Sequence, residues 1–108
     1  MHALRFQIHC AMAICLAGLA SIATAQDAAT LNLRSLAATC GNCHGTDGRA
    51  IAGSAVVSLA GVSKEYLQTQ MKAFKSGTRP ATVMHQISKG YSDAQIESLA
   101  AYFAAVKP

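Results

Sequence analysis

Cys40-Gly41-Asn42-Cys43-His44 decides how the rest of this chain is read. Cys-x-x-Cys-His is the attachment signature of a c-type haem. Two cysteines three residues apart share one side of a helical turn, so their sulfurs can add to the two vinyl groups on one edge of a porphyrin. The histidine after the second cysteine is then delivered under the ring, where its Nε2 can ligate iron. Two other chemistries use such a cysteine pair. A thioredoxin-like dithiol follows a strand in a βαβ pattern, and no strand pattern precedes Cys40. Half of a zinc site needs a second ligand pair, and downstream of His44 only His85 is left to supply one.

Toward the N-terminus, Met1 to His9 carries one arginine and two histidines, and Cys10 to Ala23 is an almost unbroken apolar run. Ala23-Thr24-Ala25 has the small-x-small form of a cleavage site. Residues 1–25 therefore read as a secretory signal peptide, with an apolar run too short to span a membrane. Cleavage after Ala25 leaves residues 26–108 as one small domain with no membrane span, expected in the periplasm. Cys10 and Cys15 depart with the signal, so no disulfide framework remains. Export suits the haem reading, because thioether formation in bacteria takes place outside the cytoplasm. The formal net charge of the 108 residues is +4. Losing Arg5 and adding two haem propionates brings it close to neutral, which is no nucleic-acid footprint.

Toward the C-terminus the pattern is helical throughout. Leu31, Leu33, Leu36 and Ala37 begin an apolar stripe that runs into Cys40. Gly45, Gly48 and Gly53 break the chain beyond His44, so residues 45–61 read as a loop around one side of the haem. Ser63 is a good N-cap, and Val62 with Leu67 has the spacing of a hydrophobic staple. Leu67, Met71 and Phe74 give the next helix one apolar face, and Gly77 ends it as a C′ glycine. Pro80 suits the start of a short helix, 81–89, closed by Gly90. Ser92 and Gln95 have the spacing of a capping box, and Ile96, Leu99, Ala100 and Phe103 form the face of the last helix. The expectation is an all-α fold: about four short helices around one covalently bound haem.

Three side chains are realistic sixth ligands. Met71 sits on the apolar stripe of its helix, where a methionine is ordinary core. Met84 lies after a proline turn, with no helical stripe that demands it, and a loop there can carry its thioether to the iron. His85, next door, reads as a histidine at the haem rim. Met84 is the preferred ligand, and a filled Met/His site raises the reduction potential relative to bis-His and suits electron transfer. Val56 to Gly61 is the segment expected to offer a carbonyl to the proximal histidine's other N–H. Arg79, Tyr66 and Tyr91 are candidates to close the pocket or reach the propionates. Lys64, Lys72 and Lys75, clustered along one helix, read either as a solvated face or as a patch that steers an acidic redox partner.

The order Cys-x-x-Cys-His, Ser58-Leu59-Ala60-Gly61, Tyr66-Leu67-Gln68, a methionine and a C-terminal helix resembles class I cytochromes c, in the cytochrome c4-like branch. Phe74 to Met84, then Lys89-Gly90-Tyr91-Ser92-Asp93, looks like the haem subunit of flavocytochrome c sulfide dehydrogenase. The resemblance covers nearly all of 26–108. It implies haem c held by Cys40, Cys43, His44 and Met84, and a larger FAD-containing sulfide dehydrogenase subunit as partner. That partner would oxidise sulfide and send electrons through the haem to a soluble electron acceptor. The chain itself would not be catalytic alone, since it contains no Gly-x-Gly-x-x-Gly flavin fingerprint. The alternative is a free-standing shuttle to an oxidase or reaction centre. One departure concerns the proximal side: related sequences commonly have proline before Ser-Leu-Ala-Gly, and this chain has Val57. Some members also carry two haem domains, whereas one Cys-x-x-Cys-His implies one haem here.

Overall fold

Helix is the only regular secondary structure among residues 27–108, the part of the chain that the computed structural model describes. The expected signal peptide, residues 1–25, lies outside the described residues. The chain divides into two units, Met1–Asn32 and Leu33–Pro108. In the first, residues 27–32 are helical and exposed. The second begins with helical residues 33–38 (α1), which bury Ala37.

The apolar stripe of α1 does not run unbroken into the cysteines. At Thr39 the helix tightens: Thr39 and Cys40 amides bond three residues back, to Leu36 and Ala37, the pattern of a closing 3₁₀ turn. The Thr39 hydroxyl also donates to the Leu36 carbonyl at 2.7 Å. A new single turn, Gly41–His44 (α2), then starts from Cys40. The anticipated loop comes next, with a 3₁₀ turn at Thr46–Gly48.

Helix α3, Lys64–Ser76, has the caps its sequence specifies. Ser63 Oγ accepts from the Tyr66 amide, and Gly77 closes the helix in the left-handed region at φ 80°. The next segment departs from the expected helix over 81–89. Residues 81–83 are non-helical, α4 spans only Met84–Ile87, and a 3₁₀ turn at Ser88–Gly90 completes it. Thr82 and Val83 explain the delay: both are β-branched and resist the helical region, and Val83 sits at φ −132° with no side-chain cap.

Helix α5, Asp93–Ala105, opens on the complete capping box of Ser92 and Gln95. It buries Ile96, Leu99, Ala100 and Phe103, the face read from its spacing. Leu99, Ala100 and Phe103 cluster with Leu67 of α3 and Ala37 of α1. Two ion pairs also join α3 to the start of α5: Lys64–Glu97 at 2.9 Å and Lys75–Asp93 at 2.7 Å. Of the three lysines that read either as a solvated face or as a docking patch, Lys64 and Lys75 are therefore engaged within the fold. Among the described residues no helix is long and apolar enough to cross a membrane.

Candidate functional site

Helix α2 is only one turn long, yet it fixes the spacing on which the site depends. The His44 amide bonds to the Cys40 carbonyl at 3.0 Å, which folds residues 40–44 into a single turn. Cys40 is half-buried and Cys43 exposed. Cys40 and His44 face a cavity of about 360 Å³ that Met84 and Met71 also line. Its walls are mainly apolar, from Leu59 and Val62 in the loop, Leu67 and Phe74 of α3, and Leu99 and Phe103 of α5. Cys43 lies outside that lining. So does His85, which is half-buried and whose Nδ1 has no hydrogen-bond partner among the described residues.

The His44 ring is held by one bond. Its Nδ1 lies 2.7 Å from the Val57 carbonyl oxygen. A carbonyl only accepts, so Nδ1 carries the proton, and in the neutral ring it is Nε2 that keeps its lone pair. This is the bond expected of the 56–61 segment, and valine serves as well as proline because the group used is the main chain.

Gly48 places that carbonyl. Its own carbonyl accepts from the Leu59 amide at 2.8 Å, the Ala60 amide at 3.1 Å and the Ser58 hydroxyl at 2.8 Å. The segment after Val57 is thereby stitched to the turn after α2. Only glycine fits there. The backbone is left-handed at φ 75°, and a Cβ would stand 2.8 Å from the Phe103 ring and 2.9 Å from Leu59. The sequence shows Gly48 as a helix breaker but carries no sign of this second duty.

Burial pushes the Cys40 thiol above its ordinary range. Such a site disfavours a thiolate, the form a zinc ligand needs, and suits an uncharged thioether sulfur. Together with the apolar walls and the oriented imidazole, this donor set fits a c-type haem.

Tyr91, Tyr66 and Arg79 all line the cavity, as anticipated for residues that close it. The Tyr91 hydroxyl meets Thr39 Oγ1 at 2.8 Å. Since the Thr39 hydroxyl already donates to Leu36, Tyr91 is the donor. Lys75 Nζ donates to the Tyr91 carbonyl at 2.8 Å, so the residue is fixed at both ends. The Arg79 guanidinium lies over the Phe74 ring, 4.5 Å from its centroid, and donates to Gln70 Oε1.

Comparison with known proteins agrees with this chemistry. The sequence model of the Cytochrome c family matches residues 34–107. The cytochrome subunit of sulfide dehydrogenase from Chlorobaculum tepidum is 43% identical over 68 residues, covering 63% of this chain and 60% of that one. Cytochrome c-554(548) from Halomonas halodenitrificans is 39% identical over 69 residues, covering 61% of this chain and 82% of that one. Among solved structures, a cytochrome c4 from Acidithiobacillus ferrooxidans superposes with a TM-score of 0.58 at 37% identity. It covers 62% of this chain and 38% of that one.

Proposed function

Because the chain belongs to the cytochrome c family of electron-transfer proteins with covalently bound haem c, we propose that it serves as the cytochrome subunit of a sulfide dehydrogenase. In this reading it is exported to the periplasm, takes electrons from an FAD-containing subunit and passes them to a soluble acceptor. Cys40 and Cys43 would hold the haem through thioether links, and His44 and Met84 would ligate its iron. Haem c supplies a one-electron iron couple.

Each side chain has a part that derives from its surroundings. The Val57 carbonyl keeps the His44 proton on Nδ1 and the ring in one orientation, so Nε2 would be presented to the iron in a fixed direction. Met84 contributes an uncharged soft sulfur, which raises the potential relative to a second histidine. Leu67, Phe74, Leu99 and Phe103 give the cavity apolar walls, so with the haem seated few polar groups there would have to reorient when its charge changes.

The observation that carries the partner assignment is the 43% identity to the Chlorobaculum tepidum cytochrome subunit. This chain spans 60% of that relative's length. A second reading, a free-standing electron shuttle, is favoured by the likeness to the Halomonas cytochrome c-554(548), of which the chain covers 82%. Tagging the protein in its own host and purifying it gently from periplasm separates the two. A stoichiometric larger chain with bound flavin, whose haem partner is reduced rapidly on adding sulfide, is the expected result. A lone haem protein that sulfide does not reduce rapidly would establish the shuttle.

A further inference from the structure

Two thioethers, Met71 on α3 and Met84 on α4, line the same cavity, and both are equally soft donors. What separates them is Ser88. This residue is completely buried, and its hydroxyl donates to Met71 Sδ at 3.5 Å. A serine in or just after a helical turn ordinarily bonds a carbonyl three or four residues back. Ser76 does so at Ala73 and Ser98 at Ala94. Ser88 instead reaches from the turn after α4 across to a sulfur on α3.

A buried hydroxyl without a partner is costly, so the two groups constrain each other. Turning the Met71 thioether toward the cavity centre would break this bond and take from the buried Ser88 hydroxyl the partner it has here. Ser88 also belongs to the turn that continues α4, four residues after Met84. The bond therefore ties the element bearing one methionine to the side chain of the other.

We infer that Ser88 is a positioning residue that decides which methionine ligates: it retains the Met71 sulfur in the cavity wall and leaves the Met84 thioether available. The inference rests on the proposed Met84 ligation and extends it. It requires no contact between Ser88 and the haem.

The test is NMR of the reduced holoprotein with ¹³C-methyl-labelled methionine, because the methyl of a ligating methionine is shifted far upfield by the porphyrin ring current. Met71→Leu assigns the Met71 signal. In the parent protein one shifted methyl, that of Met84, is expected. In Ser88→Ala a second shifted methyl belonging to Met71 should appear, and in Ser88→Thr, which keeps a hydroxyl, it should not. A folded Ser88→Ala protein with only the Met84 methyl shifted would overturn the inference. If Ser88→Ala does not fold, Met84→Ala with Ser88 intact decides: the Met71 methyl should stay unshifted, and its moving to the ligand position would show that Ser88 restrains nothing. A Met71 methyl already shifted in the parent protein would overturn the ligand assignment itself, which is a different result.

Discussion

His44 can offer its Nε2 lone pair to a metal only while the ring proton stays on Nδ1, and a single main-chain oxygen, that of Val57, sees to this. Because the side chain at that position takes no part, proline should replace valine without loss. No hydrogen bond from the Val57 amide occurs among the described residues, so Val57→Pro gives up no donor. It should raise the unfolding free energy by about 0.4–1 kcal/mol through the unfolded chain's lost freedom, with the haem spectrum unchanged. A thermal melt and an absorption spectrum check both; a lowered midpoint would mean that the loop cannot accept the ring. On the other side of the iron, Met84→Ala should abolish the sulfur-to-ferric charge-transfer band. It should also lower the potential by on the order of 100 mV, a small part of the roughly 0.8 V that axial ligands span. Met71→Ala should leave the band in place, and the opposite pattern would reverse the assignment. His44 and Met84 stand out in the sequence as chemistry-bearing types, and the structure places both on the cavity wall. Gly48 and Ser88 do not stand out, because their duties are set by partners distant in sequence: the 58–60 segment, Phe103 and Met71.

Helix ends were legible where local chemistry alone decides them. Ser63, Gly77 and the Ser92/Gln95 box each act within one turn, and each stands as its spacing predicts. Ser92→Ala should cost about 1 kcal/mol, read from chemical denaturation of the holoprotein; no loss would show the box to be redundant. The short helix at Met84 was less legible because Pro80 marks where a helix can begin, while Thr82 and Val83 decide where it does. Between elements, the ion pairs of α3 with α5 give a pH signature. Lys75, by hydrogen bond and charge, holds the Asp93 carboxyl below its ordinary value of 3.8, and Lys64 does the same to Glu97 below 4.5. Both pKa values are depressed in the folded state, so below the ordinary values the unfolded chain binds more protons. The pairs' contribution is therefore present at neutral pH and lost as pH falls through the folded-state values. Asp93→Asn/Glu97→Gln should flatten the acid limb of the melting temperature plotted against pH. An unchanged limb would show that these exposed pairs contribute nothing, as many surface pairs do.

At the scale of the whole molecule, the described residues hold too little interior to stand on side chains alone. Its buried apolar residues among those described are Ala37, Ala60, Leu67, Ile96, Leu99, Ala100 and Phe103, and three of these seven are alanines. A chain of this size has a marginal core even when well packed. Several larger apolar residues, including Met71, Phe74, Met84 and Val62, are only partly covered and face the cavity. Their burial depends on the group that fills it. Each would gain on the order of 1–2 kcal/mol on losing its remaining contact with water, together a large fraction of the roughly 5–15 kcal/mol that separates folded from unfolded domains. Haem is thus expected to be a structural member of the fold as well as its redox centre. Thioether attachment adds to this by keeping the group at the chain in the unfolded state, so that refolding never waits on capture. A Cys40→Ala/Cys43→Ala variant, produced without haem, should give a poorly dispersed NMR spectrum and no cooperative melt. Adding free haem should restore part of the helix signal, because the walls and His44 remain. A well-dispersed spectrum from the haem-free variant would show that α1, α3 and α5 hold one another without the cofactor.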